Sequence, residues 1–142
     1  MNIYIDGIWD LFHKNHLRSF KYIKEHYKGC NLIVGVISDK CAENYKRLPI
    51  INENDRCEII SSIKYISKVL FPAPLKITPD FLVKNNIDLV VHGFSNKKDR
   101  DKQAHFYKDI KKLRKFDEIP YNFGISTTEI INKIKNITNN VG

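Results

Sequence analysis

"IDGIWDLFHKNHLRSF", residues 5–20, changes its period midway, and that change decides the fold. Residues 3–5 form a short apolar strand start. Leu17, Phe20 and Ile23 then recur at helical spacing through about Tyr27, and Gly29 supplies the stop. Between strand and helix stand Asp6, Asp10 and two histidines, His13 and His16. The polar residues are thus concentrated where a strand ends and a helix begins.

The same switch recurs along the chain. "NLIVGVIS", residues 31–38, is the unbroken apolar run of a strand buried on both faces of a parallel sheet. A short helix from Asp39 and a basic loop, "YKRLP", follow it. "NENDRCEIISSIKYI", residues 52–66, opens with capping residues and predicts one helix with Cys57, Ile60, Ile63 and Ile66 on a single face. "KVLF" is a brief strand, and Pro72 and Pro74 enforce a loop. "TPDFLVKNN" has Thr to cap a helix and Pro at its first position. "IDLVVHG", residues 87–93, is another buried strand. A basic helical segment, a strand at 116–119 and a helix from Thr127 follow, with an Asn-rich tail expected to fray after about residue 136.

This alternation predicts a single α/β domain over residues 1–142. Its fold is Rossmann-like: a mainly parallel five-stranded sheet with helices on both faces and right-handed crossovers. Ligands of such sheets sit beyond the C-terminal strand ends where strand order reverses. Both "DGIWDLFHKNH" and "VVHG" fall at that rim.

The composition, 42% apolar and 28% charged, is that of a soluble globular protein. No apolar run reaches a membrane span, and the first residues lack a signal-peptide pattern, so a cytoplasmic chain with no stable membrane anchor is expected. Cys30, Cys41 and Cys57 are odd in number without CxxC spacing and read as reduced structural thiols. The net charge of +8 is concentrated: residues 97–115 hold nine Lys/Arg against three Asp. That segment is either a solvated helix face or a surface for nucleic acid or acidic lipid.

Residues three apart share a helix face, so His13 and His16 can reach one anion at a helix N-terminus. Capping and metal binding are the rival readings, the latter short of a third ligand. "GISTTEII", residues 124–131, is a capped helix start that can also face phosphate. Asp10 reads as a cap or fold-stabilising carboxylate in preference to a metal ligand, and Trp9 as core packing. His92 is either a structural hydrogen-bonding group or a ligand contact, whereas His26 and His105 carry no functional argument.

Together these stretches resemble a family. "DGIWDLFHKNHL" resembles the DGxFDxxHxGH signature of the small HxGH-type nucleotidyltransferases, specifically the cytidylyltransferases that make CDP-choline, CDP-ethanolamine and CDP-glycerol. "GISTTEII" is similar to their RTxGISTT signature from its glycine onward. "YKRLPIINENDRCEIISSIKYISKVL" and "PAPLKITPDFLVKNNIDLVVHG" resemble the family's lysine-loop and central segments. The resemblance implies transfer of CMP from CTP to phosphoethanolamine or phosphocholine, with Mg²⁺ on the triphosphate and pairing into a homodimer. It implies catalytic roles for His13, His16 and Lys46, and a hold on the acceptor's cationic head by Asp6. Gly7, Ile8, Trp9, Asn15, Lys64, His92, Gly93, Gly124, Ser126 and Thr127 would contact the nucleotide.

Five positions depart from the family pattern. Asn15 stands for the glycine of HxGH, and Tyr121 for the arginine of RTxGIST, which Arg47 or a residue of the basic segment could replace. Phe94 and Ser95 stand where an acidic pair follows VxHG. Leu75 stands for an aromatic residue of the choline enzymes, which disfavours choline. These departures leave open a nucleotide-binding pseudoenzyme, an AMP-transferring relative, or a nucleic-acid-binding protein using residues 97–115.

Overall fold

Ile3, Tyr4 and Ile5 are all buried, so the first strand has no solvent side and needs cover on both faces. The computed structural model, which describes residues 1–122 and 124–141, shows that cover. The elements in chain order are β1 (Asn2–Gly7), α1 (Lys14–His26), β2 (Asn31–Val36), α2 (Asp39–Tyr45), α3 (Glu53–Ser61) and β3 (Lys68–Leu70). There follow α4 (Pro79–Lys84), β4 (Leu89–His92), α5 (Lys97–Lys112), β5 (Phe116–Glu118) and α6 (Thr127–Val141).

The strands form one sheet in the order β3-β2-β1-β4-β5, and each of its four ladders is parallel. Side-chain alternation divides the core in two. Ile3, Ile5, Leu32, Val34 and Val91 pack with Phe20 and Ile23 of α1 and Ile60 of α3. Tyr4, Ile33 and Val90 pack on the opposite face with Leu82 of α4 and Phe106, Tyr107 and Ile110 of α5. The chain builds outward from β1 to β3, then crosses back to start β4 on the other side of β1. The switch point therefore lies between the ends of β1 and β4, at Gly7 and His92.

Two segments differ from the sequence reading. The helix expected over 52–66 ends at Ser61, because Ser61 and Ser62 both turn their hydroxyls back onto the Glu58 carbonyl (2.9 Å each). The bonds Ile63 N–H to Ile60 O and Ile66 N–H to Ile63 O then continue the chain as turns. A three-residue repeat keeps Ile60, Ile63 and Ile66 facing the core without an α-helix. At the other end, α6 carries the Asn-rich segment as helix to Val141, past the point where composition predicts fraying.

Candidate active site

The rim after β1 is built by an unusual backbone. Trp9 and Leu11 both have left-handed conformations (φ 60° and 48°), which costs about 1–3 kcal/mol for each such residue. A Cβ at Gly7 would lie 2.7 Å from the Trp9 ring, so the indole can fold back over the strand end only because position 7 is glycine. The indole N–H donates to the Gly35 carbonyl (2.9 Å), and its ring packs 5.0 Å from Phe20 and 5.3 Å from His16.

Two buried charges hold this loop. The Asp10 carboxylate accepts from the backbone N–H groups of Ile50 and Ile51 (2.8 Å each) and of Leu11 (3.1 Å). That is the fold-stabilising reading of Asp10. Arg56 is fully buried; it donates to the carbonyls of Ile8 (2.6 Å), Ile37 (2.9 Å) and Ile51 (2.9 Å) and pairs with Asp39 at 2.7 Å. Sequence reasoning passed over Arg56, since an arginine in a helix opening "NENDRC" reads as a surface residue.

The histidines cap α1 and also face outward. His13 is the N-cap; its Nδ1 accepts from the Asn15 backbone N–H, and His16 Nδ1 accepts from the His13 N–H (3.2 Å each). The rings stack with centroids 3.8 Å apart. Because both Nδ1 atoms accept, a neutral ring must carry its proton on Nε2. Burial, with His13 adjacent, pushes the His16 pKa down to about 3. Burial lowers His13 as well, against a raising effect of Glu129. At neutral pH the pair therefore offers two directed N–H donors rather than two cations.

Asn15 is buried and turned away from the ligand side. Its amide donates to the Asn122 and Ile125 carbonyls (3.0 and 2.8 Å), tying the start of α1 to the segment before α6. Ser126 caps α6 by accepting from the Glu129 N–H (3.1 Å), and Thr127 donates its hydroxyl to the Asp10 carbonyl (2.8 Å). Gly124 has φ 107°, a conformation other residues rarely adopt.

The end of β4 contributes the other half. The Tyr107 hydroxyl donates to Asp6 Oδ1 (3.0 Å) and lies 2.9 Å from His92 Nδ1. With the single phenol proton committed to Asp6, His92 donates from Nδ1 to the phenol oxygen. Burial, reinforced by Asp6, raises the Tyr107 pKa well above its ordinary value, so the phenol keeps its proton. At Gly93 a Cβ would stand 3.2 Å from the Ile119 and Pro120 carbonyls, so glycine is what lets β4 and β5 end so close together.

Between these two halves lies a cleft of about 350 Å³. Asp6, Gly7, Ile8, Trp9, His16, Lys46, His92, Gly93 and Thr127 line it, so most of the residues implied by the resemblance converge. His13, Asn15, Gly124 and Ser126 are outside its lining; His13, Asn15 and Ser126 shape its edge through the bonds above. Lys64 does not join them. It is exposed, with its ammonium over Tyr65 (5.2 Å), in the turn leading into β3. Ser67 in that turn bonds to Leu32 near the beginning of β2, so Lys64 sits at the strand-start edge, opposite the cleft.

Cations and carboxylates arrive from both sides. Desolvation lowers the Lys46 pKa, and the neighbouring Arg47 charge adds to this. Arg47 lines the cleft and donates to the Thr128 hydroxyl (3.3 Å) at the start of α6. A cation thus stands close to the helix start where Tyr121 replaces arginine. Phe94 is core, packed near His92 and Tyr107, whereas Ser95 lines the cleft. Asp99, which the sequence reading did not single out, lines it too; its carboxylate accepts from the Ser95 N–H (3.0 Å) and the Gln103 amide (2.8 Å). Its visible signal was only the cap motif in which Asn96 accepts the Asp99 N–H (2.8 Å).

Residues 4–133 match the family described as cytidylyltransferase-like. The chain is 36% identical over 137 residues to choline-phosphate cytidylyltransferase A of Rattus norvegicus, covering 94% of this chain and 36% of that protein. It is 36% identical over 134 residues to the choline-phosphate cytidylyltransferase of Saccharomyces cerevisiae, covering 94% and 31% respectively. With the ethanolamine-phosphate cytidylyltransferase of Dictyostelium discoideum the identity is 32% over 134 residues, covering 94% and 36%. The chain thus spans about a third of the length of these curated relatives. A solved structure, the lipopolysaccharide core biosynthesis protein of Thermoplasma volcanium GSS1, superposes with a TM-score of 0.67 at 23% identity, covering 88% of this chain and 98% of that one; it shows the shared fold. Family match, sheet order and rim geometry agree, and the chain belongs to the cytidylyltransferase-like family.

Proposed function

We propose that this protein transfers CMP from CTP to an amino-alcohol phosphate, phosphoethanolamine or phosphocholine, and releases pyrophosphate, in phospholipid head-group synthesis. The observation that carries this reading is one cleft lined by two chemically distinct sets of groups. One set is the His16 Nε2 donor, Lys46, Arg47 and the start of α6; the other is the buried Asp6 held by Tyr107. The first set suits a polyphosphate and the second an ammonium group. The chain's relatives are named for choline-phosphate and ethanolamine-phosphate transfer, which supports this pairing.

In the reaction an acceptor phosphate oxygen attacks the α-phosphorus in line. The bond from that phosphorus to the bridging oxygen breaks, and pyrophosphate leaves with the electron pair. No covalent enzyme intermediate is needed, so the protein's work is positioning and charge stabilisation. The Nε2–H groups of His13 and His16 donate to phosphoryl oxygens, and Lys46 neutralises charge on the transferring group. Mg²⁺ is proposed as the triphosphate's companion and would share its charge. Asp10 is committed to three backbone N–H groups, so the donor set fits an ion carried mainly by phosphate oxygens rather than a protein cage. The homodimer and a cytoplasmic location belong to the same proposal. Leu17, 39% exposed on α1, is an apolar residue available for pairing. No helix among the described residues is long and apolar enough to cross a membrane.

Pyrophosphate release with Mg²⁺ tests the reading, with CTP and ATP crossed against phosphoethanolamine, phosphocholine and glycerol 3-phosphate, and His16→Ala as control. CTP-dependent release with an amino-alcohol phosphate, lost in the variant, is expected. CTP binding without release from any pair would establish a pseudoenzyme; release with ATP alone would establish an AMP-transferring relative. Salt-sensitive nucleic-acid binding with no nucleotide binding would overturn the assignment.

A further inference from the structure

Lys46, Arg47 and Lys102 all line the one cleft, from two elements that are distant in sequence. Lys46 and Arg47 follow α2, whereas Lys102 projects from α5. The Lys102 ammonium is 5.2 Å from the centroid of the Tyr45 ring, which itself packs edge-on against Phe106 at 5.5 Å. Three like charges around one cavity repel one another, and both Arg47 and Lys102 lower the Lys46 pKa. Asp99 opposes them and raises the Lys46 pKa, while its carboxylate also accepts from the Ser95 N–H and the Gln103 amide. Such a set of cations is stabilised when an anion enters.

The position of Lys102 says which anion. Tyr45, Leu75, Phe106 and Tyr107 line the cleft together with Asp6, which the Tyr107 hydroxyl contacts at 3.0 Å. Asp6 is close enough to Tyr45 to raise its pKa, after burial and Asp99. Tyr45 therefore has a buried carboxylate on one side and an ammonium on its face. A primary ammonium bearing a phosphate matches that order of charges, cation toward Asp6 and dianion toward Lys102. A quaternary ammonium seeks an aromatic face instead, and Lys102 already occupies that of Tyr45.

We propose that Lys102 binds the phosphate of the acceptor and selects a phosphomonoester bearing a primary ammonium. This rests on the proposed transfer to an amino-alcohol phosphate.

The test compares wild type, Lys102→Ala and Lys102→Arg in two assays. In turnover with CTP, the alanine variant is expected to raise the KM for phosphoethanolamine about 30-fold, the loss of one charge-assisted hydrogen bond. Its KM for CTP should stay within about twofold, and arginine should restore most of the acceptor affinity, because it keeps the charge. Calorimetry of phosphoethanolamine binding repeats the comparison without turnover. A wild type that binds phosphoethanolamine yet releases no pyrophosphate would remove the transferase reading, while weaker binding by the alanine variant would still support the role of Lys102. An unchanged acceptor affinity in Lys102→Ala, an effect confined to CTP, or no phosphoethanolamine binding by the wild type would overturn the proposal.

Discussion

Replacing Arg56 by methionine tests whether the rim of the cleft depends on a buried charge. The guanidinium is fully buried and serves three carbonyls, those of Ile8, Ile37 and Ile51, besides its ion pair with Asp39. Methionine fills a similar volume but donates nothing. Breaking a buried pair from one side costs about 3–5 kcal/mol, because the remaining charge and acceptors lose their partner. Asp39 is 28% exposed and can recover some hydration, which favours the lower end of that range. At this chain length roughly 3–4 °C accompanies each kcal/mol, so melting should fall by about 10 °C or more. Thermal unfolding followed by circular dichroism reads the shift, and urea titration gives the free energy. Arg56→Lys should fall between the two, since one ammonium with three donors cannot meet four acceptors arranged for a planar fork. A methionine variant melting within about 3 °C of wild type would refute the reasoning, as it would mean that the three carbonyls find water at no cost.

Asn15→Gly restores the residue that the family pattern expects, yet should lower stability by about 2–3 kcal/mol, through two lost hydrogen bonds and the entropy of glycine near a helix start; denaturant unfolding decides. Stability should also fall as pH drops from about 6.5 toward 3. In that window the unfolded His16 takes a proton while the folded ring, with its pKa near 3, does not. His16→Asn should flatten that limb. Lys46 is the group whose loss should weaken turnover on the alkaline side. Its pKa is lowered, so the fall in kcat should come below the ordinary lysine value of 10.5, and Lys46→Arg should carry it to higher pH; steady-state rates from pH 6 to 10 measure this.

The fold was legible because the sheet is buried on both faces. "NLIVGVIS" and "IDLVVHG" read as strands with no need of tertiary information, and glycine or proline breaks bound most of the helices. The overextended α3 shows where periodicity misleads. Ile60, Ile63 and Ile66 recur every three residues, and a chain of i, i+3 turns satisfies that spacing as well as a helix does. Lys64, which the resemblance implies as a nucleotide contact, lies at the opposite edge of the sheet. The His13–His16 rim was legible because its residues are local in sequence. Arg56, Asp99, Lys102 and Tyr107 were not, because their roles exist only after α3 and α5 pack against the ends of β1 and β2. Tyr107 reads as a core aromatic on α5, and its bond to Asp6 spans 101 positions of chain.

Charge in the cleft gives the histidines a narrower role than their residue type suggests. With both Nδ1 atoms accepting from backbone N–H groups and both rings held neutral, they add no positive charge toward a triphosphate. Lys46, Arg47 and Lys102 supply three positive charges, which Asp6, Asp10 and Asp99 offset before any ligand enters. The cleft thus brings no net charge to a nucleoside triphosphate, so a divalent cation arriving with the nucleotide fits the electrostatics of the proposed reaction. In the proposed reaction the imidazoles would contribute direction. Two N–H donors, fixed by a capping box at the start of α1, would need no reorganisation as charge builds on the phosphoryl oxygens. Replacing both by lysine would add charge while discarding that geometry. The double variant His13→Lys/His16→Lys should therefore lose at least about 100-fold in kcat, the effect of losing fixed donors in an oxyanion site, even where CTP binding calorimetry shows equal or tighter binding. Retained turnover in that variant would show that charge alone suffices and that the capping geometry is incidental.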